Sequence, residues 1–400
     1  MTDPLKDMRL LVVSHVTHFC YKGQLFAYGP YSQEIDLWAD LFKTLTIAAP
    51  CRNELPPGDC LPFTRSNISM APQLEAGGET LGAKIKLALA APLLALGLAR
   101  AMRRCDAIHV RCPGNLGLLG AALAPLFSRR LVAKYAAQWS KSVGDVWSNR
   151  WQKAILRSTW WNGPVTVYGE WPDQPSHVIP FFTSLLTEDH IERARQAAVR
   201  VWAGEPLQVL FTGRLTWQKH VDVLLRAVAK NRQDGWDVRC TVIGDGPEGP
   251  SLRALASELG IADAVEFTGG VTFDEVLRRL ERAHVLALVS EAEGWPKAIA
   301  EAMAFGLVAI GSNRGFVPKM LENGRGLVAS PGDIDMLASL ISDIAQHPLS
   351  YAPMRRAAAE WSQQFSLAGL QKAIRELLLE EWDLYDASPV AVSRAAGGAN

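Results

Sequence analysis

Ser290-Glu291-Ala292-Glu293-Gly294-Trp295-Pro296-Lys297-Ala298-Ile299-Ala300-Glu301-Ala302-Met303-Ala304 decides how this chain is read. The apolar residues 285–289 before it read as a strand. Gly294 and Pro296 then break the chain, and Pro296 suits the first turn of a helix. That helix carries Glu301 about 12 Å beyond its start, at about 1.5 Å per residue. Glu293 and Glu301 thus bracket a helix N-terminus, whose free N–H groups and positive dipole end suit a phosphate. Two hydroxyl-binding carboxylates around an anion site describe a nucleotide-sugar pocket. The alternative is plainer: Glu293 caps the helix and Glu301 is solvated.

Working outward, the 400 residues alternate strand and helix patterns twice. Strands read near 10–14, 45–49, 107–110, 130–135, 165–168 and 177–180. A polar and aromatic loop is expected from the first strand to Tyr31, with a helix from Ser32. After a charged helix at 188–201 the pattern restarts with strands near 207–211, 239–243, 265–267, 285–289 and 307–310. Such alternation implies parallel sheets covered on both faces. The expected division is 1–185, 186–365, a last helix at 366–387 returning to the first domain, and a disordered tail at 388–400. Two domains suit the length, since single cores stop growing near about 250–300 residues.

Lys and Arg number 41 and so do Asp and Glu, which argues against nucleic acid as the main partner. The charge is uneven: residues 1–185 hold 19 basic and 13 acidic residues, the remainder 22 and 28. A basic first half suits an anionic acceptor or a membrane surface. Six cysteines without C-x-x-C spacing read as reduced thiols of a cytoplasmic protein. The N-terminus does not read as a signal peptide. The apolar run from Leu87 to Ala99, interrupted by Pro92, reads as too short to cross a bilayer. Cations flank it, so the segment 82–104 has two readings: a buried domain helix, which is preferred, and a peripheral contact with an anionic membrane.

Other motifs carry chemistry. Gly213, Arg214 and Lys219 follow the 207–211 strand in one loop, where two cations can neutralise a diphosphate. Gly244, Gly246 and Gly249 match G-x-G-x-x-G after a strand, with Glu266 downstream. That leaves an NAD(P)-dependent oxidoreductase as a competing reading, although Pro247 removes a donor from the turn. His15, His18 and Lys22 fall in the first loop. Arg111 and Asn115 end the third strand, and with His18 they are acceptor-side candidates. Six tryptophans at 139, 147, 151, 160, 161 and 171 crowd one region, and core packing is preferred for most of them. No metal motif is present; Asp333 and Asp335 read as helix capping.

These pieces, in this order, resemble the group 1 retaining glycosyltransferases of the GT-B fold, family 4-like. The likeness runs over about 207–333: Gly213-Arg214 with Lys219, the 242–247 turn, Gly269, Glu293-Gly294 to Glu301, and Pro331-Gly332-Asp333. It implies two Rossmann-like domains facing a central cleft, and sugar transfer with retention from a nucleotide-diphosphate donor to an acceptor hydroxyl. It implies Arg214, Lys219 and Glu293 as the catalytic set, with the two cations on the diphosphate and Glu293 on sugar hydroxyls. Glu301 would hold the ribose. Backbone at Gly269 to Val271 would meet the base, and Gly213, Gly294, Trp295, Pro296 and Lys297 complete the donor site. No cofactor or metal is implied. The acceptor would be a sugar, glycolipid or small molecule, as in surface-glycan synthesis. A nucleotide-sugar-binding protein without turnover is the third reading. This chain departs from the family at His220 and Leu307, where Gly and Pro are usual, and at 135–137, which lack the family's His.

Overall fold

The computed structural model describes residues 3–75, 81–139, 146–171, 173–202 and 206–385. The tail expected at 388–400 lies outside them.

The first domain opens with β1 (Arg9–Val13), a hairpin of β2 (His18–Tyr21) and β3 (Gln24–Tyr28), α1 (Gly29–Ala39) and β4 (Thr44–Ala48). Short strands β5 (Cys51–Arg52), β6 (Cys60–Pro62) and β7 (Ile68–Met70) lead to α2 (Leu81–Met102). Then come β8 (Ala107–Cys112), α3 (Asn115–Leu123), β9 (Arg130–Tyr135), α4 (Trp147–Arg157), β10 (Val165–Val167) and β11 (Val178–Pro180). Seven strands form a parallel sheet in the order β11-β10-β9-β8-β1-β4-β7. Its central strands are buried almost throughout because both faces are covered. Leu10, Val12 and Val132 face α1. Leu11, Val13 and Ile108 face Leu94, Leu98 and Leu116 of α2 and α3.

The loop expected before Tyr31 is instead a β-hairpin, and α1 starts at Gly29 rather than Ser32. The reason is local. Lys22 and Gly23 both take positive φ, 51° and 78°, the geometry of a tight two-residue turn between twisted strands. The hairpin then pairs with β5 and β6 in a separate four-stranded sheet.

In the second domain α5 (Glu188–Ala198) precedes β12 (Leu207–Thr212), α6 (Val221–Gln233), β13 (Val238–Ile243), α7 (Gly249–Glu258), β14 (Val265–Gly269) and α8 (Phe273–Leu280). There follow β15 (Val285–Leu288), α9 (Lys297–Ala304), β16 (Val308–Ser312), α10 (Val317–Leu321), β17 (Leu327–Ala329), α11 (Ile334–Gln346), α12 (Ala352–Ser362) and α13 (Leu367–Glu381). The sheet runs β14-β13-β12-β15-β16-β17, all parallel. The Asp333 carboxylate accepts from the Met336 N–H at 2.9 Å and caps α11, a contact worth about 1 kcal/mol.

Two connections fix one domain on the other. Helix α13 lays Leu370, Ile374 and Leu378 into the first-domain core beside Ile35 and Phe42. Across the cleft, Tyr168 lies so near Gly294 that a β-carbon there would stand 2.8 Å from its ring. Gly169 faces Phe316 in the same way, at 2.5 Å.

Candidate active site

In the second domain β12 neighbours both β13 and β15, so the chain order reverses between β12 and β15. Ligands of open parallel sheets bind where the loops diverge at such a point. The loop after β12 holds Gly213, Arg214 and Lys219; the loop after β15 holds 290–296.

Glu291 ties these loops together. Its N–H donates to the Gln218 carbonyl at 2.9 Å, and its carboxylate lies 2.8 Å from His220 Nε2. His220 takes a left-handed conformation, φ 49° and ψ 42°, which favours glycine; the imidazole contact with Glu291 offsets that cost. The tie brings the Lys219 ammonium to the Glu293 carboxylate at 2.6 Å, with both side chains largely buried. The Arg214 side chain is exposed, and its guanidinium has no hydrogen-bond or ion-pair partner among the described residues. Gly315 pins the other side of Glu293, since a β-carbon there would stand 2.1 Å from the Glu293 carbonyl.

Beyond Glu293 the side chains diverge in role. Trp295 is buried against Phe316, with centroids 5.6 Å apart, and against Phe365 at 5.2 Å. Its ring was expected at the donor; it anchors the loop instead. Pro296 is the N-cap of α9 and Lys297 its first residue. Glu301 is buried on that helix, and desolvation pushes its pKa up to about 7, against the opposing pull of Lys297. A carboxylate held in that way lacks compensating donors, which a ribose diol would supply. Facing it from the first domain is Tyr28, whose pKa is raised by desolvation and then by Asp59 and Glu301.

Gly269 takes φ 69°, and its carbonyl accepts from Gly244 at 2.9 Å. Asp245 accepts from the Gly270 N–H at 2.5 Å, fixing the stretch that continues to the half-buried Val271. The glycine turn of the oxidoreductase reading is already filled. A β-carbon on Gly244 would lie 2.0 Å from the Gly213 carbonyl, and one on Gly246 2.2 Å from that of Leu215. The face a pyrophosphate would need is packed on protein backbone. Among the described residues, no three His, Cys, Asp or Glu side chains gather to hold a metal.

Two acceptor-side expectations need correction. His18 is fully buried, stacked on Phe63 at 5.8 Å, with Nδ1 on the Val16 carbonyl; desolvation lowers its pKa to about 4. It cannot meet an acceptor. Arg111 is buried and bonded to Glu34 at 2.6 Å, while Lys134 reaches the other oxygen of that carboxylate at 2.7 Å. Burial opposes ionisation of Glu34, but the two cations prevail and hold it well below the usual carboxylate range. Asn115 is half-buried at the start of α3, at the cleft edge of the sheet. His15 sits near it, exposed, its ring within 2.7 Å of where a Gly114 β-carbon would be. Its place in the first loop was legible, but only the fold separates it from His18. Glu34, Lys134, Tyr168 and Glu291 gave no signal as site residues, because their partners are far away in sequence.

Residues 192–361 match the family described as glycosyl transferases group 1. The second domain is thus similar to the group 1 glycosyltransferases. Among curated proteins, the amylovoran biosynthesis glycosyltransferase AmsK of Erwinia amylovora is 29% identical over 43% of this chain and 46% of its own length. A GDP-mannose-dependent phosphatidylinositol monomannoside mannosyltransferase of Mycolicibacterium smegmatis is 28% identical over 45% and 49%. The match spans about half the length of these relatives. Among solved structures, Anabaena HepE in complex with UDP covers 94% of this chain and all of its own, at 16% identity and a TM-score of 0.65. Sucrose-phosphate synthase from Thermosynechococcus elongatus covers the same shares at 18% and 0.67. The shared architecture is GT-B.

Proposed function

We propose that this chain is a group 1 glycosyltransferase and moves a sugar from a nucleoside-diphosphate donor to an acceptor hydroxyl, with retention of anomeric configuration. One observation carries the reading. Lys219 meets Glu293 at one sheet edge, with Arg214 left unpartnered in the same loop and Glu301 buried on the adjoining helix. Arg214, Lys219 and the N-terminus of α9 neutralise the diphosphate without a metal. They bind it more strongly as the glycosidic bond breaks, because negative charge then grows on the departing oxygens. Glu293 accepts from sugar hydroxyls and Glu301 from the ribose diol, while backbone at Gly269 to Val271 meets the base. The acceptor hydroxyl attacks from the face the diphosphate leaves. Lys219 keeps Glu293 engaged in an ion pair, so Glu293 orients the sugar rather than bonding to it.

The names of the relatives support an acceptor in surface-glycan or glycolipid synthesis, handled on the cytoplasmic side of a membrane that the segment 82–104 touches. The test is a panel of UDP-, GDP- and ADP-sugars and NADH, scored by thermal shift and by mass detection of released nucleotide and product. One nucleotide-sugar should stabilise the protein and turn over. Stabilisation by NADH alone would overturn the reading, and donor binding without turnover would reduce it to a binding protein.

A further inference from the structure

Helix α2 is not the buried helix preferred from the sequence. The 18 residues Ile85–Met102 have a mean hydropathy of 1.6, and only 22% of them are buried. The helix is long and apolar enough to cross a bilayer, by length and composition. Its inner side, however, with Leu94, Leu98 and Met102, is fixed in the first-domain core. The outer side shows Ile85, Leu89, Leu93 and Leu96, spaced one helical turn apart. The tryptophans expected in the core are divided as well. Trp139 and Trp161 are buried, but Trp147, Trp151 and Trp160 are exposed, as is Leu126 after α3.

These exposed groups share one layer. Helix α3 packs between α2 and α4 on one face of the sheet. The Trp160 indole donates to the Ala122 carbonyl of α3 at 3.1 Å, and the Arg103 guanidinium lies 5.8 Å from the Phe127 ring centroid. The layer is also one-signed. Residues 81–105 contain five Lys or Arg, 115–130 two, and 146–163 three; none of the three segments contains Asp or Glu, in a chain balanced at 41 of each. Lys153 is the exception in position, buried 5.4 Å from the Tyr135 ring centroid.

We infer that the outer side of the α2–α3–α4 layer is a docking face for an anionic bilayer, and that it delivers a lipid-borne acceptor to the cleft. Leucines and tryptophans enter the interface while arginines meet headgroup phosphates. A second copy of the chain fits the face poorly, because a two-fold contact would press like charge on like charge. The cleft end of the face is marked by α4. Gln152 accepts from the Gly114 N–H at 3.1 Å, which ties α4 to the loop that starts α3 at the cleft edge. The inference rests on the proposed glycolipid acceptor for its purpose, but the surface can be tested without it.

The full chain is sedimented with vesicles of phosphatidylcholine alone, and of phosphatidylcholine with about one third phosphatidylglycerol. Binding to the anionic vesicles should be about tenfold tighter or more and should weaken with salt. Leu89→Glu with Leu93→Glu should cost about tenfold in vesicle binding, and Arg103→Glu with Arg104→Glu should remove the preference for anionic lipid. Thermal melts and donor hydrolysis in vesicle-free buffer should stay at the parent level for both. Equal binding to both vesicle types overturns the inference, as does parental vesicle binding in both variants. A parent dimer that the leucine variant dissolves, seen by light scattering, overturns it too. Donor hydrolysis reports on sugar transfer alone, so its loss in the parent would count against the proposed function and not against the docking face.

Discussion

Both parallel sheets of this molecule end on two cations and a carboxylate, and they use them in opposite ways. At the edge of the first sheet Glu34 takes both Arg111 and Lys134 in a buried cluster, where burial lowers the Lys134 pKa against the pull of Glu34. At the edge of the second, Lys219 holds Glu293 while the exposed Arg214 guanidinium has no partner among the described residues. The same residue types form a structural unit where water is excluded and their charges satisfy one another. Where one charge is left without a partner, as at Arg214, they can take an anionic ligand, which is the role proposed for the second cluster.

That contrast can be broken experimentally. The largest effect belongs to the closed cluster: Glu34→Gln strands two buried cations and should cost about 3–5 kcal/mol of stability, measured by denaturant unfolding. A loss below about 1 kcal/mol would mean that the cluster is hydrated and no different in kind from the open one.

Arg214→Ala is the converse. Stability should change by no more than about 0.5 kcal/mol, while the rate of transfer falls about 10²–10³-fold. Unchanged turnover would remove Arg214 from the site.

Glu301→Gln sharpens the comparison through pH. The carboxyl titrates near 7 in the fold, against about 4.3 in an unfolded chain, so between these values the folded state holds the extra proton. The stability tied to that proton is complete below the unfolded value and is lost as pH rises through 7. Glutamine should therefore raise the melting temperature at pH 8, by up to about 3 kcal/mol in stability, and leave it unchanged near pH 4. Donor binding at pH 8 should weaken about 10- to 100-fold. A variant that gains nothing at pH 8 would show that the carboxyl is already compensated.

The smallest change is expected for Glu293→Gln. It releases Lys219, so free nucleoside diphosphate should bind about two- to threefold tighter in calorimetry, while turnover falls. Weaker binding would place Glu293, rather than Lys219, on the diphosphate side.

Much of this was legible in the chain. Apolar runs of four or five residues between helical patterns mark β1 and β15, because a strand buried on both faces has no polar side to show. The hairpin after β1 was not legible, since Lys22-Gly23 looks like any polar turn until both residues take positive φ. The exposed side of α2 was hidden for a related reason: a helix that is apolar on most sides does not reveal which of them the domain covers.

The sequence by itself determined the parallel β/α order, the cation loop after β12, and the acid–helix–acid run from Glu293 to Glu301. Each is a local pattern set by burial, turn chemistry and helical rise. Only the tertiary structure decided which cations are available. Arg111 lies at the end of one buried strand and Arg214 just after another, both at a sheet edge, and nothing nearby in sequence separates them. The carboxylate that neutralises Arg111 arrives from α1, 77 residues earlier in the chain, while the described fold brings none to Arg214. Pairing is a property of side chains that meet in space, and folding alone brings them together.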